Sequence, residues 1–190
     1  MKEIRMSLDK NKFKSINMYF QDESRFGLMT HVGRCLTARS VKPIVTYKHA
    51  FKNTYLYGSF SPITGDTFML EIEGVDTKIF EAYLKAFSKQ NPKELKILII
   101  DNAGFHSTKN ITIPDNIILV NIPPYSPELN PAEKIWHNIK SRFKNHMFEN
   151  MENLKKWLYE DIKQNLTKNH VKSITHNDFF IHAFYGAFQC

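Results

Sequence analysis

The segment Leu95–Ile100, with the sequence LKILII, constrains the fold of this chain more than any other. Its residues are almost entirely apolar and β-branched, which is typical of a central strand that is covered on both faces. The sequence therefore predicts a buried strand here, and it predicts that this strand stops at Asp101. Because such a strand needs helices on both sides of its sheet, the segment favours an α/β fold.

The residues before this strand predict an antiparallel meander. Asn17–Asp22 alternates with the period of a strand, with Met18, Phe20 and Asp22 on one face, and Asp22 is predicted to end it. Further strands are predicted over Val41–Thr46, Thr54–Phe60 and Thr67–Glu73. The last two are separated by Ser61–Asp66, a turn that contains Pro and Gly.

Helices are predicted before and after the later strands in the sequence. Apolar residues recur at helical spacing over Asp76–Gln90, and Ile117–Ile122 predicts a short strand that a proline-rich loop closes. Asn130 is suited to cap a helix that starts at Pro131, with a buried stripe that includes Trp136. A further amphipathic helix and an aromatic-rich end follow, and no linker interrupts residues 1–190, so we expect a single domain.

Charge and cysteine usage limit the class of protein. Lys and Arg number 26 against 19 Asp and Glu, a net charge of +7, which is compatible with a polyanionic partner but also with simple solubility. Cys35 and Cys190 are too few for a disulfide framework or a zinc site, which favours a reducing compartment. No apolar run approaches the ~18 residues of a membrane span. We expect a cytoplasmic protein without a membrane partner.

Three carboxylates are candidates for one site. Asp22 and Asp101 are predicted at the carboxyl ends of strands, where active sites of open α/β sheets lie, although an Asp there also forms ordinary turns. Glu133 falls in the first turn of a helix, where a capping box could equally explain it. Glu128 is a rival in the preceding loop, but a helix would orient Glu133 better.

Such a site would suit hard divalent cations. Oxygen ligands without a Cys or His cluster favour Mg²⁺ or Mn²⁺ over zinc. Two ions roughly 3.5 to 4 Å apart can activate an attacking oxygen and stabilise a leaving oxygen in an in-line phosphoryl displacement. If the carboxylates converge, the sequence predicts a protein that cuts or joins nucleic acid.

Three strings of the sequence, QDESRFG, IDNAGFH and SPELNPAEKIW, resemble the catalytic core of the DDE transposases. The resemblance is to bacterial insertion-sequence transposases of the mariner-like superfamily and covers about residues 15 to 146. It implies an RNase H-like fold, with a mixed central sheet (an antiparallel meander, then parallel strands) flanked by helices. It also implies that Asp22, Asp101 and Glu133 are the catalytic and metal-binding triad, with two Mg²⁺ or Mn²⁺ ions.

The resemblance implies a function as well. Hydrolysis at transposon ends would free a 3′-hydroxyl, which then attacks target DNA at the same site. A stand-alone RNase H-like nuclease and an inactive or domesticated remnant that only binds DNA remain alternatives. The family carries an N-terminal helix-turn-helix that reads the transposon ends, and only about 15 residues precede the first predicted strand here, so we expect this domain to be absent from the chain.

Supporting roles are expected for residues near the triad. Asn102 and His106 match the family pattern and would orient a carboxylate, position water or contact DNA, although Asn-Ala-Gly is also a favourable turn. A basic set is expected to contact phosphates, although a solvated helix face would look the same: Arg25, Lys134, His137, Lys140, Arg142 and Lys144. The expected partners are double-stranded DNA at transposon ends and target, a second copy in a homodimer or DNA-bridged multimer, and a separately encoded helix-turn-helix protein.

Overall fold

A computed structural model describes residues 12–31, 33, 36–42, 44, 48–74, 76–101, 111–123, 126 and 129–188. Five strands run over β1 (Ser15–Gly27), β2 (Asn53–Phe60), β3 (Thr67–Ile72), β4 (Glu94–Ile100) and β5 (Ile117–Asn121). The helices are α1 (Thr77–Lys89), α2 (Ala132–Phe143), α3 (Met151–Asn165), α4 (Lys168–Thr175) and α5 (Asp178–Phe188). Within the described part of the chain, no helix has the length and apolar character needed to cross a membrane.

The strands form one mixed sheet in the order β3-β2-β1-β4-β5. β1, β2 and β3 are antiparallel neighbours, while β4 is parallel to both β1 and β5. The predicted antiparallel meander followed by parallel strands is therefore confirmed. β1 occupies the centre of the sheet and joins the two halves.

β4 is buried along its whole length, as its apolar sequence predicted. Lys96, the charged residue within LKILII, is also fully buried. Its Nζ donates a hydrogen bond to the Asn91 carbonyl oxygen at 3.0 Å and lies 5.4 Å from the centre of the Phe87 ring. The carboxylate of Glu94 is 3.8 Å away. These partners compensate the buried charge, so Lys96 does not interrupt the strand.

Helices cover both faces of the sheet. One face packs against α1 through an aromatic core that includes Tyr57, Tyr83 and Phe87. The opposite face packs against α2 to α5, and its core includes Phe20, Trp136 and residues of the later helices. Trp136 is buried against Phe60, as predicted for a core residue. The aromatic end is packed in part, since Phe184 is buried whereas Phe179 is exposed.

Two strand predictions are wrong. β1 does not end at Asp22 but continues to Gly27, because β2 pairs with it from Phe20 through Gly27. No strand is present at the described positions 41, 42 and 44 of the predicted strand Val41–Thr46; the others lie outside the described residues. Val41 instead donates its N–H to Ala38 in a turn, and β1 already has β2 and β4 as its two neighbours.

Candidate active site

Asp22 and Asp101 come to the same place on the sheet through the register of β1 and β4. Phe20 lies opposite Ile99 in this parallel ladder, and each Asp follows its ladder residue by two positions. Phe20 and Ile99 belong to the same core, on the face that α2 covers. Since side chains two residues apart share a face, both carboxylates lie on that face at the end of the ladder. Asp22 is therefore at the end of the parallel pairing although it is inside its strand.

Glu133 reaches the same region from the first turn of α2. The start of this helix is tied to β1 by Asn130, whose Nδ2 donates a hydrogen bond to the Gln21 carbonyl oxygen at 3.0 Å. The helix begins at Ala132, one residue after the predicted start, with Pro131 at the N-cap position. The Asn130 Oδ1 accepts a hydrogen bond from the N–H of Ala132 at 3.1 Å and so satisfies a free N–H at the start of the helix. Among the described residues, no hydrogen bond joins the Glu133 carboxylate to the Asn130 N–H, so the capping-box alternative is not formed.

The electrostatics of Asp22 show that the three carboxylates are close enough to interact. Burial is the largest cause that raises the pKa of Asp22, and with the negative charges of Glu23, Asp101 and Glu133 it brings the pKa to about 7. The N–H of Glu23 donates a hydrogen bond to Asp22 Oδ1 at 2.8 Å, which acts in the opposite direction. Asp22 is half-buried, so it loses much of the hydration that would stabilise its negative charge.

The donor set fits a hard divalent cation in type and in charge. All three side chains offer carboxylate oxygens, and a bound cation would relieve the mutual repulsion that raises the pKa of Asp22. As they are placed here, however, no three His, Cys, Asp or Glu side chains in the described part of the chain are gathered closely enough to hold an ion together. The carboxylates converge on one region without forming a closed set of ligands.

Basic side chains of α2 and β1 border this region. Lys134, His137 and Lys140 are exposed on α2, Lys144 is exposed directly after it, and Arg25 is exposed on β1. Burial of part of its side chain lowers the pKa of Lys140, which the negative charge of Asp22 opposes and the positive charge of Arg25 reinforces. Lys140 therefore lies within electrostatic reach of Asp22, and Arg25 lies within electrostatic reach of Lys140.

Arg142 forms an ion pair that the sequence did not predict. Its guanidinium forms two hydrogen bonds with the carboxylate of Asp161 on α3, of 2.6 and 2.7 Å, and it also donates to Asn138. Asp161 is buried and receives a further hydrogen bond from Asn165. These hydrogen bonds join α2 to α3 through Arg142, and its contact with DNA remains a prediction.

A basic groove beside the carboxylates was not predicted as a unit. Arg25, Lys52 and Lys140 line it together with His31 and the exposed ring of Phe51. Arg25 and Lys52 come together because the end of β1 pairs with the start of β2, with Gly27 opposite Asn53. Sequence spacing carries no signal for this grouping, since it depends on the register of the two strands.

Three other candidates, Asn102, His106 and the rival carboxylate Glu128, lie outside the described residues. Their roles remain predictions.

Solved structures that this chain resembles define its class of fold. It matches the Mos1 transposase paired-end complex with left transposon end at a TM-score of 0.68, with 17% identity over 98% of this chain and 59% of that one. It matches the Mos1 strand transfer complex at a TM-score of 0.63, with 16% identity over 84% of this chain and 50% of that one. The chain has the RNase H-like fold that these Mos1 structures have. The chain spans between half and three-fifths of the length of these Mos1 chains.

The sequence identifies the family within this fold. The model of the DDE superfamily endonucleases matches residues 17–155, and the chain belongs to that family. A curated relative, the uncharacterized protein y4pE/y4sA of Sinorhizobium fredii (strain NBRC 101917 / NGR234), is 31% identical over 102 residues. This match covers 53% of the present chain and 76% of the relative.

Proposed function

We propose that this chain is the catalytic domain of a DNA transposase. It cleaves phosphodiester bonds at transposon ends and joins the freed 3′-hydroxyl to target DNA. The observation that carries the proposal is the convergence of Asp22, Asp101 and Glu133 at the end of the β1–β4 ladder, in a chain of the DDE endonuclease family. The same carboxylates serve both reactions, since each is an attack of an oxygen nucleophile on a phosphodiester.

Divalent cations are the proposed cofactors. Asp22, Asp101 and Glu133 would hold Mg²⁺ or Mn²⁺, and Mos1 paired-end complexes have been solved with each of these metals. Two such ions, when bound, supply activation of the attacking oxygen and stabilisation of the leaving oxygen. The raised pKa of Asp22 supports this assignment, because burial beside like charges is the environment that a cation would neutralise.

Basic side chains of the protein are proposed to bind the DNA backbone and to hold it beside the carboxylates. Lys140 lies within electrostatic reach of Asp22 and Arg25 within reach of Lys140, so their positive charges can hold a phosphate near the carboxylates. Lys52 extends this positive surface along the groove. The exposed side chains Lys134, His137 and Lys144 can contact phosphates further along α2.

The assembly that we propose includes partners. Two copies would bridge two DNA ends, as a homodimer or a DNA-bridged multimer, by analogy with the paired-end Mos1 complexes. Residues 1–190 would act as a single catalytic domain, and a separately encoded helix-turn-helix protein would read the ends. The setting would be the nucleoid in the bacterial cytoplasm. Light scattering of the protein with and without DNA tests the assembly: a homodimer gives two copies without DNA, whereas a DNA-bridged multimer gives them only when DNA ends are present.

Alanine substitution of the triad tests the chemistry. Asp22→Ala, Asp101→Ala and Glu133→Ala are each expected to reduce cleavage by at least about 100-fold, because each removes a proposed metal ligand. Cleavage is measured with Mg²⁺ or Mn²⁺ on duplexes taken from the sequences that flank the gene. Asp115→Ala is the control, since this carboxylate is exposed and pairs with Lys12.

The same assay separates the alternatives. Joining of a labelled 3′-hydroxyl end to plasmid DNA supports the transposase, and hydrolysis without joining supports the stand-alone nuclease. DNA binding without either reaction supports a remnant that only binds. Retained activity in Glu133→Ala with loss in Glu128→Ala would overturn the assignment of the third carboxylate.

A further inference from the structure

The side chain of Asn130 links the strand that carries Asp22 to the helix that carries Glu133. It is buried, with 5% of its surface exposed. Its Nδ2 donates to the carbonyl oxygen of Gln21, the residue directly before Asp22, although the two lie 109 positions apart in the chain. Its Oδ1 accepts from the N–H of Ala132, the residue directly before Glu133. One carboxamide thus contacts the backbone next to both carboxylates.

Ordinary capping does not require such a residue. Asp76, Asn150 and Thr167 cap α1, α3 and α4 by accepting a hydrogen bond from a backbone N–H, so three residue types serve this purpose in the same protein. A cap needs only an acceptor. Asn130 also needs a donor, because its second partner is a carbonyl oxygen. Only a carboxamide offers a donor and an acceptor at this spacing, whereas an ionised Asp only accepts.

We propose that Asn130 is a positioning residue that fixes the spacing between Asp22 and Glu133. The inference rests on the proposed function, in which these two carboxylates bind the same metal centre. Asp22 lies within β1, where β2 pairs with it, while the side chain of Glu133 is exposed in the first turn of α2, and helix ends fray more readily than paired strands. The hydrogen bond from Asn130 to Gln21 therefore anchors the start of the helix that carries Glu133 to the strand that carries Asp22.

The test compares Asn130→Ser with Asn150→Ser. Serine keeps the capping acceptor in both variants, but at position 130 it removes the donor to Gln21. We expect Mn²⁺ affinity, measured by calorimetry without DNA, to fall by about tenfold or more in Asn130→Ser, the size of effect seen when groups that orient metal ligands are removed. Asn150→Ser is expected to bind Mn²⁺ like the wild type. DNA cleavage with Mg²⁺ should fall in parallel with the affinity.

A double substitution shows whether Asn130 acts through Glu133. In a Glu133→Gln background, Asn130→Ser should reduce Mn²⁺ affinity no further, because the ligand that it positions is already lost. An additional loss of the same size as in the wild-type background would show a general structural effect and overturn the proposal. If Asn130→Ser does not fold, Asn130→Asp replaces it in both backgrounds, since it keeps the acceptor and the volume of the side chain.

The remaining outcomes distinguish the two proposals. If the wild type binds Mn²⁺ and Asn130→Ser binds it equally well, the positioning role is wrong while the proposed function stands. If Asn150→Ser loses as much affinity as Asn130→Ser, the positioning role is also wrong. If the wild type binds no Mn²⁺ and Glu133→Gln changes nothing, the proposed metal site itself is wrong, and the inference is wrong with it.

Discussion

Asp22 is kept in an environment that opposes its own ionisation. It is half-buried, next to the carboxylates of Glu23, Asp101 and Glu133, and these surroundings raise its pKa to about 7. In the unfolded chain its pKa would be near ~4. Such a group destabilises the metal-free fold when it is charged, so stability is lost at the position where cation binding is proposed.

We expect Asp22→Asn to stabilise the metal-free protein above pH 7. Between about pH 4 and pH 7 the folded state keeps the proton that the unfolded state has released, so the free energy of unfolding of the wild type falls as pH rises. Asparagine removes this dependence, and the gain reaches at most about 4 kcal/mol, at about 1.4 kcal/mol per pKa unit. Urea unfolding of the wild type and Asp22→Asn in EDTA at pH 5 and pH 8 measures this gain in the free energy of unfolding.

The exposed carboxylate of Asp115 provides the control, because Asp115→Asn should change stability little at either pH. Added Mg²⁺ should raise the unfolding temperature of the wild type at pH 8 but not that of Asp22→Asn. Equal pH dependence in the wild type and Asp22→Asn would contradict the expected pKa.

At the scale of elements, the approach of α2 to the sheet depends on a glycine. Gly58 pairs with Asp22 across β1 and β2. A Cβ atom at Gly58 would lie 2.5 Å from Cζ of Phe60 and 2.9 Å from Cη2 of Trp136 on α2. Both rings are packed in the core, so neither can move without disturbing its neighbours. The absence of a side chain at this position lets the helix that carries Glu133 sit close to Asp22.

Gly58→Ala is therefore expected to lower the free energy of unfolding by about 1 to 3 kcal/mol, the usual cost of overpacking a core. Gly186→Ala is the matched control, because a Cβ there meets no atom within 4 Å among the described residues and the position is in α5. That substitution should stabilise by roughly 0.5 to 1 kcal/mol. Urea unfolding measures both, and a neutral Gly58→Ala would contradict the close packing of α2.

Two neighbouring basic residues, Arg142 and Lys144, allow an effect on stability to be distinguished from an effect on DNA binding. Arg142→Met leaves the buried Asp161 without its ion-pair partner and should cost roughly 3 kcal/mol of stability. Lys144→Met, on the exposed surface of the same region, should change stability by less than about 0.5 kcal/mol but weaken DNA binding. Chemical denaturation and fluorescence anisotropy with duplex DNA compare the two. If Arg142→Met weakened DNA binding and changed stability little, that result would support a contact between Arg142 and DNA.

At the scale of the whole molecule, three elements contribute positive charges to one groove near the carboxylates. The basic groove brings together Arg25, Lys52 and Lys140 from β1, from the segment before β2 and from α2. The net charge of +7 by itself does not say which face meets DNA. We propose that DNA meets the face with the groove, because DNA that follows the groove would pass the proposed catalytic carboxylates.

Neutralising the groove should change the salt dependence of DNA binding. Substitution of Arg25, Lys52 and Lys140 by Met should reduce the slope of log K against log salt by about 2 to 3, near 0.9 for each lost phosphate contact. The control removes three exposed lysines on the side of α1, Lys78, Lys89 and Lys93, with the same change in charge. Equal slopes for the two triple variants would show that binding follows net charge and not the groove.

Much of the fold follows from local sequence patterns. The apolar run of β4, the helical period of α1 and the Pro/Gly turn between β2 and β3 each depend on neighbouring residues, and each is confirmed. The family is also readable, because its motif strings are short and contiguous. The apolar residues of a segment indicate which of its side chains are buried. The period at which they recur indicates whether the segment is a helix or a strand.

The sequence by itself thus determined the order and type of most elements and the choice of three carboxylates as candidates. Only the tertiary structure decided that β1 continues past Asp22, that Arg142 pairs with Asp161, and that Asn130 joins the backbone beside Asp22 to the helix of Glu133. These features are contacts between residues distant in the chain. They depend on strand register and helix packing, which arise from the whole core and are not encoded in the pattern of any one segment.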